Sequence, residues 1–210
     1  MGSRPSLSVL LASALKLCGR PIDLVAIDMP MSHAPIMGRR SADNEISRAY
    51  GAHGCGTHSP STTRPGRLGR EMNKGFRMAG YPLLTRALRS PGVIEVYPHP
   101  ALIELTGAEE RLPYKATNVR RYWGWATPAQ RHDLLRREWG AIATLLQQEI
   151  TGVEAALPLP DHRARMGERK AFEDTLDAVI CAWVAVRALE GLAVPFGDDT
   201  AAIWIPMRRR

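Results

Sequence analysis

The spacing of hydrophobic positions changes repeatedly along this chain, and each change marks an element. The apolar stretch Leu7 to Leu17 reads as a short amphipathic helix over about 5–18, ending near Gly19 with Pro21 beyond it. Ile22 to Ile27 (IDLVAI) is a β-branched run with the pattern of a buried strand, stopped by Asp28-Met29-Pro30. A polar, glycine-rich stretch follows from His33 to Arg70, in which Asp43 is a candidate N-cap for a helical turn reaching Tyr50. A helix is predicted over about 66–90, broken near Gly80-Tyr81-Pro82. Val93 to Tyr97 (VIEVY) is the second strand, closed by Pro98 and Pro100, and Ala101 to Thr106 is a short helix. Pro128 opens an amphipathic helix over about 128–150 that turns Leu134, Leu135, Trp139, Ile142, Leu145 and Leu146 inward. Pro158 and Pro160 mark a linker. An acidic helix covers about 167–190, Gly197-Asp198-Asp199 is a turn, and Ala202 to Ile205 is a last short strand. Strands alternating with helices predict an α/β fold, a single domain over 1–210 with a helical insertion at 113–160.

The acidic helix carries the sharpest chemical signal. At helical spacing Asp177 shares a face with Ile180, Cys181 and Val184, and Glu173 and Asp174 lie four and three residues earlier on that face. A carboxylate on an apolar stripe is costly unless something pairs with it. Asp174 and Asp177, spaced i and i+3, can hold one hard cation, although negative charge at Glu173 and Asp174 also suits a helix start. Asp28 follows the first strand, where catalytic groups of α/β sheets collect, as a metal ligand, a general base or a turn residue. Glu95 lies inside the second strand, on the side of Val93 and Tyr97, as a ligand or as the buried partner of an arginine. Arg39 and Lys115 are candidates for holding phosphate oxygens. His99 follows the second strand and is a candidate proton shuttle. His53, Cys55 and His58 match no familiar zinc spacing.

Composition adds bounds. The chain has 210 residues, 45% of them hydrophobic and 23% charged, which is ordinary for a globular domain with a core. No apolar run is long enough for a bilayer. The start, Met1-Gly2-Ser3-Arg4-Pro5, lacks a signal-peptide pattern, so a cytoplasmic location is expected. Cys18, Cys55 and Cys181 are odd in number and widely spaced, which predicts no disulfide framework. The net charge of +7, with three arginines at 208–210, suits either a solvated surface or a polyanionic partner such as nucleic acid.

Several short motifs occur in order: Ile27-Asp28-Met29-Pro30, Arg39-Arg40-Ser41-Ala42-Asp43, Glu95-Val96-Tyr97-Pro98, Tyr114-Lys115, Asp174-Thr175-Leu176-Asp177-Ala178, and Gly197-Asp198 before Ile203-Trp204-Ile205-Pro206. Together they resemble the domain of unknown function 429 family, a set of predicted nucleases with an RNase H-like fold, over about 22–206. The resemblance implies a mixed sheet flanked by helices. It also implies a metal site of Asp28, Asp174 and Asp177 binding two Mg²⁺ or Mn²⁺ ions for phosphodiester hydrolysis, with Glu95 a further catalytic candidate. Asp28 matches the family's middle-strand acid. The family's usual first strand, its aspartate and the following hairpin have no counterpart here. The Ile22–Ile27 strand is therefore expected to leave an unpaired sheet edge, open to a homodimer contact. The expected function is a metal-dependent nuclease or phosphodiesterase. The alternatives are a non-catalytic module binding nucleic acid or protein through a degraded site, and a phosphate enzyme for small molecules on the same fold.

Overall fold

The computed structural model describes residues 7–208. The first two residues of the predicted N-terminal helix (5 and 6) and the last two arginines therefore lie outside the described residues. In chain order the elements are α1 (Leu7–Cys18), β1 (Leu24–Ile27), α2 (Ser41–Tyr50), α3 (Arg67–Met78), β2 (Gly92–Val96) and α4 (Pro98–Thr106). Then come α5 (Val119–Tyr122), α6 (Pro128–Glu149), α7 (Val153–Ala156), α8 (Met166–Leu189), β3 (Ala193–Gly197) and β4 (Ala202–Pro206).

The four strands form one open mixed sheet in the order β1-β2-β4-β3. β1 and β2 run parallel with Leu24 opposite Gly92, β2 runs parallel to β4, and β3 returns antiparallel to β4. The α/β fold with a mixed sheet and a helical insertion before the acidic helix is as expected, and its topology is consistent with an RNase H-like arrangement. β2 is buried along its whole length, as a central strand must be, with Glu95 its one charged residue. α8 packs across β1, β2 and β4. Its Leu176, Ile180 and Val184 meet Trp139, Ile142 and Leu146 of α6 in the main core. The insertion is fastened to this core by Trp139, whose indole N–H donates to the Tyr114 carbonyl at 2.7 Å.

β3 is a strand where the sequence analysis assigns no element; Pro195 sits at its centre, opposite Trp204, which an edge strand tolerates because the missing N–H is not needed on its outer side. Two expectations are corrected. The helix predicted over about 66–90 ends at Met78, where Gly80 takes φ +86° and turns the chain away. Asp43 is not the N-cap of α2. Arg40 holds that position, and Asp43, three residues on, reaches back to the Arg40 backbone N–H at 2.9 Å.

β1 forms one edge of the sheet, and none of the described residues pairs with its outer side. Among the described residues no helix is long and apolar enough to cross a membrane.

Candidate metal centre

Parallel strands deliver their carboxyl ends to one edge of a sheet, and the groups that follow β1 and β2 meet there. Asp28 leaves β1 and His99 follows β2, both on the wall of a cleft of about 690 Å³. Arg64, Arg111, Tyr114 and Lys115 line the same cleft. Asp28 also lines a second recess of about 400 Å³ with Asp174 and Asp177 of α8. It stands where the two spaces adjoin.

α8 brings three carboxylates together. Oxygens of Glu173, Asp174 and Asp177 lie within 4.8 Å of one another, the one group among the described residues with the spacing of a metal site. The helical period separates their environments. Glu173 and Asp177 are buried on the apolar stripe, while Asp174 turns outward with its side chain 63% exposed. Asp177 accepts the Tyr114 hydroxyl at 2.8 Å and pairs with the Lys115 ammonium at 2.5 Å. Glu173 accepts the backbone N–H of Ala116 at 2.6 Å and faces Lys115 at 3.5 Å. Lys170 bridges Glu173 at 2.8 Å and Asp174 at 2.5 Å. Lys115 also lies over the Tyr114 ring, 4.5 Å from its centre.

Asp28 differs from these three. Among the described residues its carboxylate has no hydrogen-bond or ion-pair partner. It is exposed to solvent on the cleft wall, although protein surrounds its carboxyl closely. Removal from bulk water, with the Asp177 charge beside it, pushes its carboxyl up to about 6. Burial raises Asp177 as well, against the pull of Lys115. Four carboxylates thus share two ammonium groups, leaving two negative charges without a cation. Oxygen donors with that deficit match one hard divalent ion.

A stability prediction follows. A carboxyl whose folded pKa lies above its unfolded value costs the fold stability as pH rises from the unfolded value through about 6. Asp28→Asn should therefore stabilise the metal-free protein above pH 6. An increase of roughly 1 kcal/mol, or about 2–4 °C in Tm, is expected once solvent screening is allowed for. The gain should vanish near pH 4, and thermal melts across that range check it.

The remaining sequence candidates fall into other roles. Glu95 is the buried partner of an arginine, one of its two sequence readings: Arg40 donates to it twice, at 2.6 and 2.8 Å. Arg39 donates to Asn44, to the Thr57 and Asp43 carbonyls and to Ser47, so it fastens the loop after α2 and does not line the cleft. His99 accepts a hydrogen bond from Arg111 at Nε2. Burial and the Arg111 charge push it down to about 2, so it stays neutral and carries no shuttled proton at ordinary pH. Cys55 is buried and donates to the His53 carbonyl. Lys170 and Arg111 were not singled out by the sequence reading. Lys170 had a local signal, its i+3 and i+4 spacing to Glu173 and Asp174. Arg111 reaches its place through the fold alone.

No curated protein and no solved structure matches the chain. A family model described as "Protein of unknown function (DUF429)" matches residues 10–202. That span takes in β1, Asp28, the Arg40–Glu95 pair and the whole carboxylate face of α8, and the chain accordingly belongs to the DUF429 family.

Proposed function

We propose that the protein is a metal-dependent phosphodiesterase acting on nucleic acid, with Asp28, Asp174 and Asp177 holding Mg²⁺ or Mn²⁺. The unpartnered Asp28 carboxylate beside Asp177 carries this reading, because Asp28 has no cation of its own and Asp177 shares Lys115 with Glu173. A bound divalent ion would supply Lewis acidity toward a phosphodiester and lower the pKa of water beside it. One ion balances the charge already present. A second, as the two-ion scheme requires, fits once a phosphate adds its own negative charge.

The chain's own groups then have defined tasks. Tyr114 and Lys115 hold the Asp177 carboxylate in one orientation through its two oxygens. Ala116 and Lys170 do the same for Glu173. Lys115, with Arg64 and Arg111 on the cleft wall, offers positive charge to phosphate oxygens. Arg39, already engaged elsewhere, is replaced by Arg111 and Arg64 in this role. Arg64→Ala should raise KM for a labelled oligonucleotide about tenfold and leave kcat nearly unchanged, since it removes ground-state binding. Steady-state kinetics with Mn²⁺ check this.

The lysines favour a second reading. Lys115 and Lys170 already neutralise part of the α8 cluster, as in a non-catalytic module that binds polyanions in the same cleft. Assays of single-stranded and duplex DNA and RNA with Mg²⁺ and Mn²⁺ separate the two. Turnover supports the enzyme, and salt-sensitive binding with no cleavage in either metal supports the module.

A further inference from the structure

The segment that leaves the metal centre after Lys115 carries charge that nothing else on it balances. From Ala116 to Arg131 there are three arginines, Arg120, Arg121 and Arg131, and no carboxylate. Arg120 and Arg121 are exposed on α5, and among the described residues neither guanidinium has a hydrogen-bond or ion-pair partner. Arg131 donates to the Trp123 and Gly124 carbonyls, at 2.9 and 3.0 Å, and to no carboxylate, so its charge is unbalanced too. The Ala126 N–H also donates to the Trp123 carbonyl, at 3.0 Å, which closes a turn with Gly124 and Trp125 at its tip. Trp123 packs inward against the main core and Ala126 is buried, so the turn is pinned on both sides. Trp125 is left 78% exposed, the only exposed large hydrophobic residue between 116 and 149. Gly124 lies against the Arg120 carbonyl, 3.4 Å from where a Cβ would stand, while Arg131 holds its own carbonyl. The indole therefore follows directly on the point where Arg120 and Arg131 meet.

We propose that Trp125, with Arg120, Arg121 and Arg131, is a stacking platform for single-stranded nucleic acid on its way to the metal centre. This rests on the nucleic-acid reading above and narrows its substrate to a single strand. An exposed ring alone is ordinary surface. A ring flanked by unbalanced guanidiniums offers the two contacts a single strand needs, a face for a base and cations for the phosphates beside it. In a duplex the neighbouring bases already cover each base face, so the ring selects unpaired strand. A membrane surface is the poorer fit, because an interfacial element presents a whole apolar face and Trp125 stands alone. The reach agrees. The Ala116 N–H is held by Glu173 at the metal centre, and Arg120 is five residues beyond Lys115, so their Cα atoms are at most about 18 Å apart. A strand with one phosphate at Lys115 reaches Trp125 within a few nucleotides.

Fluorescence anisotropy with labelled thymidine and uridine oligonucleotides of about ten nucleotides tests it, using the full chain in EDTA so that cleavage cannot intervene. The single strands should bind at least about tenfold tighter than a blunt duplex of equal length. Trp125→Ala should weaken single-strand binding about tenfold, leave duplex binding unchanged, and be largely rescued in Trp125→Phe, whose ring still stacks. Arg120→Gln with Arg121→Gln should lower the slope of log affinity against log salt by about 1.4. The substituted side chains are exposed, and circular dichroism confirms that the variants fold. Single-strand binding that Trp125→Ala leaves intact overturns this inference alone, as does equal affinity for duplex or a salt slope that the arginine variant does not change. A protein that binds no oligonucleotide overturns it together with the nucleic-acid reading. Binding to phosphatidylserine vesicles that Trp125→Ala abolishes, in place of oligonucleotide binding, assigns the surface to a membrane and overturns it as well.

Discussion

Replacing Asp177 by Asn should abolish Mg²⁺- or Mn²⁺-dependent phosphodiester cleavage while the protein stays folded. Asp177 links the α8 cluster to Tyr114, Lys115 and Asp28. It accepts from Tyr114, pairs with Lys115, raises Asp28, and belongs to the α8 cluster. Asparagine keeps the shape and one acceptor oxygen but removes the charge that a divalent ion needs. Loss of groups that merely orient ligands costs about 10–100-fold, so loss of a ligand should cost at least about a hundredfold. The fold should survive, because Lys115 retains Glu173 at 3.5 Å. Initial rates in Mn²⁺, with circular dichroism as the control, check it. Cleavage by the variant at the wild-type rate would remove Asp177 from the chemistry.

The second large effect concerns stability. Arg40 is buried and all five of its N–H donors are engaged, two by Glu95, two by Asp43 and one by the Met31 carbonyl. The Met31 N–H returns to Glu95 at 2.7 Å. One guanidinium thus ties the loop after β1, the start of α2 and the centre of β2. Arg40→Met leaves two buried carboxylates facing each other, and removing one partner of a buried ion pair costs about 3–5 kcal/mol. A fall in Tm on the order of 10 °C is expected for a domain of this size. The pH dependence should identify the cause. Burial already holds the Glu95 carboxyl up at about 7, and without the arginine it loses the charge that lowers it, so the lost stability should be partly regained as pH falls and Glu95 protonates. A deficit that is the same at pH 5 and pH 8 would point to lost packing.

Much of this arrangement was legible before the structure, for reasons visible in single residues. The β-branched run before Asp28 and the apolar run around Glu95 are continuous because parallel central strands bury both faces, and such runs stand out in a sequence. The depth of Asp177 was legible from the 3.6-residue period, which places it with Ile180, Cys181 and Val184; all three are buried. β3 was missed because proline counts against a strand everywhere except at an edge, and edge position is a property of the assembled sheet. The helix over about 66–90 was drawn past its break at Gly80 because Leu83, Leu84 and Leu88 follow at spacings a helix allows. Leu83 and Leu84 are buried, in hydrogen-bonded loop structure beside Val93 instead of in a further helix.

The site was legible in its acids more than in its bases. A carboxylate on an apolar stripe announces itself, because apolar neighbours make its cost evident. A basic residue near a turn looks the same whether it faces solvent or a cleft. Arg39 and Lys115 were equally plausible phosphate ligands in sequence. The fold gives Arg39 a full set of partners in α2 and the loop after it and brings Lys115 to Asp177.

The central claim is that Asp28 and the α8 aspartates form a site short of one divalent cation. Calorimetric titration of Mn²⁺ into the metal-free protein tests it most directly, at pH 7.5 and again at pH 5. Saturable binding is predicted at pH 7.5, weaker at pH 5 as Asp28 protonates near its raised value of about 6, and lost in Asp28→Asn. Absence of saturable binding at pH 7.5, or binding that Asp28→Asn leaves unchanged, would contradict it.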